Sequence, residues 1–204
     1  MSRNVAAVVL YPGCTIAEVI ELATRLRSHG LEVVMAAIGT DPVVDQSGLP
    51  MSPTVDLTTL DVGILRVVVV PGGDPGSVIE DERMLGFLRA AGDSGATVAA
   101  ICAGVLLSAA AGLTQGRHIT HNYRAPWAPE QVERFVDRFW SGASVQPDPS
   151  IGVVVDGKLI TALPNAVIDF TVTTLEQLDL IDAGYGALLR RHLGGEFVAE
   201  LHEA

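Results

Sequence analysis

Three short, mainly apolar runs, residues 5–10, Leu65–Val70 and Thr97–Ile101, each stop abruptly at a junction holding glycine: Tyr11-Pro12-Gly13, Pro71-Gly72-Gly73 and Cys102-Ala103-Gly104. A run with no polar alternation has no face to offer water, so each reads as a strand buried on both sides. A helical pattern follows each turn. Residues 15–29 place Ile16, Val19, Ile20, Ala23 and Leu26 on one face and stop at Gly30. Residues 77–91 and 103–111 read as the next two helices, the latter built of small residues and ended by Gly112. Strands alternating with helices imply right-handed crossovers and a mainly parallel sheet. The expected architecture is a three-layer α/β/α sandwich.

Residues 32–38 supply another strand, and Pro50 and Pro53 make 48–60 an expected excursion off the main sheet. A strand is expected over 119–123. Pro126 and Pro129 then open a helix with Val132, Phe135, Val136 and Phe139 turned inward. Residues 151–155 and 158–161 flank Asp156-Gly157, a two-residue hairpin signal. Residues 165–178 read as helix despite the β-branched Thr171-Val172-Thr173-Thr174, and 185–202 as surface helix broken at Gly194-Gly195. With no repeat, linker or low-complexity tract, the 204 residues read as a single domain, 1–204.

The formal net charge of −11 sets phosphate backbones and anionic lipid against the surface, so nucleic acid and membrane are not expected partners. No apolar stretch reaches membrane length without a charge or a Gly/Pro break, and no cleavage-site pattern follows the first one. Two cysteines, Cys14 and Cys102, are too few for a disulfide scaffold and suit a reducing cytoplasm. His29, His192 and His202 have no ligand spacing and Cys-x-x-Cys is absent, so neither a metal nor a cofactor is expected.

Cys102 is the candidate nucleophile. At a sharp junction of buried strand and helix its side chain would stand above the sheet, in a strained backbone conformation, with helix N–H groups aimed at the sulfur. Ala100, Ala103 and Gly104 are small enough for such an elbow. The helix dipole would favour the thiolate and lower its pKa. A buried structural cysteine remains the other reading. Glu18, at the first strand–helix junction, could reach Cys102 as a general acid/base with a pKa raised by burial. Yet Thr15-x-x-Glu18 is also a capping box, and spacing alone favours the cap. Gly72 and Gly73 could present N–H groups to an oxyanion, as could Ala103, or could form a plain tight turn.

Together these positions resemble the ThiJ/PfpI superfamily, with its flavodoxin-like, class I glutamine amidotransferase-like fold. Its Ala-x-Cys-x-Gly elbow matches Ala100-Ile101-Cys102-Ala103-Gly104, its Pro-Gly-Gly matches Pro71-Gly72-Gly73, its early acidic residue matches Glu18, and the late hairpin and helix match residues 153–178. The resemblance implies Cys102 as nucleophile or oxidation site, Glu18 against its sulfur, and oxyanion donors from the Gly-Gly turn and Ala103. It also implies a homodimer. Many members carry a His about twenty residues past the Cys. Here Gly116-Arg117-His118-Ile119-Thr120-His121-Asn122 puts Asn122 at that place and His121 one position early. Strand alternation would turn Asn122 and His121 to opposite faces, leaving Glu18 as the expected proton-transfer group.

The resemblance implies a cofactor-free enzyme adding water across a small electrophilic carbon through a Cys102 adduct. Isonitrile hydration and a glyoxalase reaction on 2-oxoaldehydes are the two forms. Leu10-Tyr11-Pro12-Gly13 and Ala110-Ala111-Gly112-Leu113 resemble the isonitrile-hydratase branch, whereas Glu18 in place of that branch's Asp is shared with the glyoxalase branch. Tyr11, Tyr123 and Trp127 are candidates for an apolar substrate wall, and Cys14, His121 and Asn122 are the other candidate pocket residues. Cys14, at the mouth of the same crevice, is a bystander or a resolving thiol. The alternative function is a non-catalytic redox or stress protein whose Cys102 oxidises to a sulfinate. A transcription-factor sensor lacks a helix-turn-helix, and a protease or amidotransferase role is weakened by the missing His.

Overall fold

The computed structural model describes residues 3–201. Its strands are β1 (Val5–Val9), β2 (Glu32–Ala37), β3 (Val43–Val44), β4 (Pro50–Met51), β5 (Val55–Asp56), β6 (Leu65–Val70), β7 (Thr97–Ile101), β8 (His118–Ile119), β9 (Ser144–Val145), β10 (Val153–Asp156) and β11 (Leu159–Ala162). The helices are α1 (Ile20–Ser28), α2 (Glu82–Asp93), α3 (Ala103–Ala110), α4 (Glu130–Val136), α5 (Val167–Gln177) and α6 (Ala183–Leu193). His202, at the end of the expected last helical segment, lies outside the described residues.

Seven strands form one sheet in the order β10-β11-β7-β6-β1-β2-β5, parallel except for β10. The three apolar runs are its centre, and every residue of β1 and β7 is buried. From β1 the chain steps through α1 to β2 in one direction; from β6 it steps through α2 to β7 in the other. Right-handed crossovers therefore put α1 and α2 on opposite faces. α1 packs on α5 and α5 on α6, while α2 packs on α3. The reversal of direction between β1 and β6 opens a crevice at the carboxyl ends of those strands, where open α/β sheets place their sites. Among the described residues no helix is long and apolar enough to cross a membrane.

Several local expectations need correction. The 48–60 excursion is partial: β3 and β4 pair off the main sheet, but β5 returns to its edge beside β2. The helix expected over 77–91 starts at Glu82, where the Asp81 carboxylate accepts the Arg83 N–H and caps it. The strand expected over 119–123 lasts two residues, because β8 pairs only with the equally short β9. Val136 faces inward as expected, whereas Val132 and Phe135 are exposed, Phe135 by 68%. The hairpin at Asp156-Gly157 forms and adds β10 and β11 to the main sheet.

Candidate active site

Cys102 sits between β7 and α3 with φ +55° and ψ −127°, a region that L side chains rarely adopt. The strain is imposed by packing on both sides of the elbow. A Cβ on Gly104 would lie 2.2 Å from the Val70 carbonyl oxygen, so α3 can approach the end of β6 only with glycine there. The place a Cβ on Gly72 would occupy lies 2.5 Å from Glu18 Oε2 and 2.7 Å from Cys102 Sγ. Gly72 thus leaves the room in which carboxyl and sulfur meet.

Glu18 does not cap its helix. The Thr15 side chain makes no capping bond; its hydroxyl turns to Gln46 Oε1 at 2.6 Å. Residues 16–18 form a single 3-10 turn before α1, which carries the carboxyl toward the crevice, where Oε2 accepts the Gly72 N–H at 2.8 Å and meets the Cys102 thiol. The chain around it is held by an isolated antiparallel bridge between Cys14 and Gly73, with Thr15 N–H donating to Gly72 O at 2.8 Å and Asp74 N–H to Gly13 O at 3.0 Å. Cys14 is fully buried in that bridge, and both cysteines are free thiols.

The electrostatics reverse one expectation. Burial and the adjacent Glu18 carboxylate push the Cys102 thiol up to about 11, against the lowering effect of the Ala103 and Gly73 N–H groups. Burial also raises Glu18, offset by the Gly72 N–H and the thiol. The amide donors are therefore present but do not leave a free thiolate. Each group acts on the other: the carboxylate holds the thiol up, and the thiol's hydrogen bond lowers the carboxyl.

His121 is buried, stacked on Trp140 with ring centroids 4.0 Å apart and planes at 8°. Its Nδ1 accepts the Tyr123 N–H at 3.1 Å, which puts the ring proton on Nε2. Burial and Arg124 lower its pKa to about 4. Neither ring nitrogen is then a free base for the thiol. The alternation invoked for this segment does not operate, because the strand ends at Ile119. Asn122 Oδ1 is buried without a hydrogen-bond partner among the described residues.

Tyr11 was expected in the substrate wall, but its side chain is buried and its hydroxyl contacts Pro71 O at 3.0 Å and Gly72 O at 2.6 Å. Tyr123 lies close enough to Cys102 and Glu18 for their charges to raise its pKa, after burial, and it packs on Trp140 at 6.1 Å. Beside it a cleft of about 340 Å³ opens from Gly73, walled by Leu106, Val132, Phe135 and Phe139. Trp127 is half-buried and is not among the residues of that wall. Trp140 was missed in the sequence, where it follows Phe139 as one more apolar helical residue. Among the described residues no group of three His, Cys, Asp or Glu side chains could hold a metal ion.

The isonitrile hydratase of Pseudomonas putida is 35% identical over 143 residues, 69% of this chain and 57% of that protein, so the chain matches little more than half of its length. Drosophila melanogaster dj-1beta is 31% identical over 182 residues, 87% of this chain and 90% of that one. Its crystal structure superposes with a TM-score of 0.73 at 27% identity, covering 97% of this chain and 100% of that one. A glutathione-independent glyoxalase of Caenorhabditis elegans is 26% identical over 183 residues, 88% of this chain and 91% of that protein. The model of the DJ-1/PfpI family matches residues 4–177, and the chain, with its strained cysteine between β7 and α3, belongs to that family.

Proposed function

We propose that this chain is a cofactor-free, cysteine-dependent enzyme that adds water across a small electrophilic carbon, in the manner of an isonitrile hydratase. The observation that carries the reading is the meeting of Glu18 and Cys102 beneath Gly72, away from the helix end that Glu18 was spaced to cap. A carboxyl there can take the thiol proton and return it to carbon. Cys102 S–H adds across the terminal carbon of R–NC, sulfur bonding to carbon and the proton passing through Glu18 to the same carbon, giving R–N=CH–S–Cys. Water then attacks that carbon, the C–S bond breaks, and R–NH–CHO leaves with the thiol restored. Charge developing during addition is met by the N–H groups of Gly73 and Ala103. The apolar cleft beside Gly73 and Tyr123 suits the substituent R, with His121 and Asn122 further along the same segment.

The same pair supports a glyoxalase reading, in which the thiol adds to the aldehyde of R–CO–CHO and hydrogen transfer and hydrolysis give R–CHOH–COOH. It also supports the non-catalytic reading, in which two peroxide molecules convert the Cys102 thiol to a sulfinate and two waters. The apolar walls of the cleft favour the isonitrile. A panel of alkyl and aryl isonitriles and 2-oxoaldehydes, followed by NMR for formamide and hydroxy acid, tests the choice. Formamide from wild type and none from Cys102→Ser is the expected result. No turnover on any of them, with clean sulfinate formation in peroxide, overturns it. The reading includes a homodimer, checked by light scattering, and a reducing cytoplasm, which two free cysteines suit.

A further inference from the structure

The Gly-Gly turn has no side chains of its own to fix its peptide planes, yet its two N–H groups are what Glu18 and Cys102 use. In a trans peptide the C=O and the N–H point in opposite directions, so whatever holds the oxygen aims the N–H. The Pro71–Gly72 peptide takes the Tyr11 hydroxyl on its oxygen at 3.0 Å and gives its N–H to Glu18 Oε2 at 2.8 Å. The Gly72–Gly73 peptide takes the same hydroxyl on its oxygen at 2.6 Å, with the Thr15 N–H at 2.8 Å, and its own N–H lies near enough to the Cys102 sulfur to lower the thiol's pKa. We infer that Tyr11 is a positioning residue: one buried hydroxyl, behind the turn, sets the aim of both amide donors in front of it. This rests on the Cys102 and Glu18 reading given above and deepens it.

Two further observations fit a dedicated fastener. Gly73 has φ +119°, and a Cβ there would lie 2.1 Å from the Gly13 oxygen, so glycine is obligatory and the plane is left without a side-chain lock. The Tyr11 ring is 1% exposed at the end of β1, and burial pushes its ionisation far above the ordinary range, so the hydroxyl remains a donor at every working pH. Its single proton is shared across both oxygens, with Gly72 O the nearer. A phenylalanine fills the same space but, among the described residues, leaves Pro71 O with no donor and Gly72 O with Thr15 alone.

The test is Tyr11→Phe, with Ile160→Val as a core trim elsewhere in the sheet that lowers the melting temperature without touching the turn. Tyr11→Phe is expected to lower kcat on the substrate that wild type turns over by about tenfold to a hundredfold, with KM within about twofold, as for a misaimed amide donor. The pH profile of Cys102 alkylation by iodoacetamide should move to higher pH, since the sulfur loses the Gly73 N–H. A purely structural tyrosine predicts a lower melting temperature with kcat and alkylation profile unchanged, as for Ile160→Val, and that result overturns the inference. Should Tyr11→Phe not fold, 3,5-difluorotyrosine placed at position 11 by amber suppression gives a stronger donor of nearly the same size. Polarising the Gly72 carbonyl more strongly makes the Gly73 N–H a better donor, so the alkylation profile should move to lower pH. No movement overturns the inference. If wild type turns over nothing, the parent reading fails alone, because the alkylation profile still reports on Tyr11.

Discussion

Glu18 Oε2 accepts the Gly72 N–H at 2.8 Å and lies against the Cys102 thiol, so one carboxyl joins the start of the first helical segment, the turn after β6 and the elbow after β7. The Cys14–Gly73 bridge ties the turn after β1 to the turn after β6. The contact between carboxyl and sulfur is the chemical asset of the site, and burial and the Glu18 charge outweigh the Ala103 and Gly73 N–H groups in keeping the thiol protonated.

Removing the carboxylate charge should free the thiol. After burial, Glu18 is the largest cause raising Cys102 to about 11, so Glu18→Gln is expected to shift the pH profile of iodoacetamide alkylation downward. Turnover should fall by about a hundredfold or more, since the proton shuttle is gone. A downward shift together with unchanged turnover would take the shuttle role away from Glu18.

Gly72→Ala places a methyl 2.5 Å from both Cys102 Cβ and Glu18 Oε2. The expected outcome is loss of kcat/KM by about a hundredfold or more, because carboxyl and sulfur are driven apart, with a melting temperature lower by several degrees. Steady-state kinetics and calorimetry on one preparation check both; full activity would mean the two groups need not meet.

His121 carries a pH dependence of stability. Its folded pKa of about 4 lies below the ordinary 6.5, so the neutral ring is what the fold accommodates. The contribution is fully present above pH 6.5 and is lost as pH falls through 4, on the order of 3 kcal/mol in all. His121→Asn should be less stable at pH 8, having lost the Trp140 stack, but should lose less than wild type between pH 6.5 and 4. Urea melts at the three pH values decide; parallel curves would refute the assignment.

The apolar cleft should select by substituent. Val132→Asp puts a charge on its wall and is expected to raise KM for bulky apolar isonitriles by about tenfold while leaving methyl isonitrile within twofold. An equal effect on both would remove the cleft from the substrate path.

The layer architecture was written in the three valine- and alanine-rich runs, because a strand without polar alternation can lie only between two helical layers. The Cys102 elbow was legible for a similar local reason: Ala100, Ala103 and Gly104 leave room for a bend that larger residues forbid, and the Val70 oxygen stands 2.2 Å from where a Cβ on Gly104 would be. The sequence determined those features by sterics between near neighbours. Where Glu18 would go was not decided locally, because a Thr-x-x-Glu spacing serves a helix cap as well as a distant amide, and only the approach of β6 to β1 supplied the Gly72 N–H that won. The strand alternation expected at His121 and Asn122 failed for the same kind of reason: it needs a strand partner, and β9 offers only two residues of pairing before the chain leaves it. The thiol's high pKa and the Tyr11 contacts behind the turn were likewise tertiary matters, since desolvation and the direction of a carbonyl depend on what the rest of the chain packs around them.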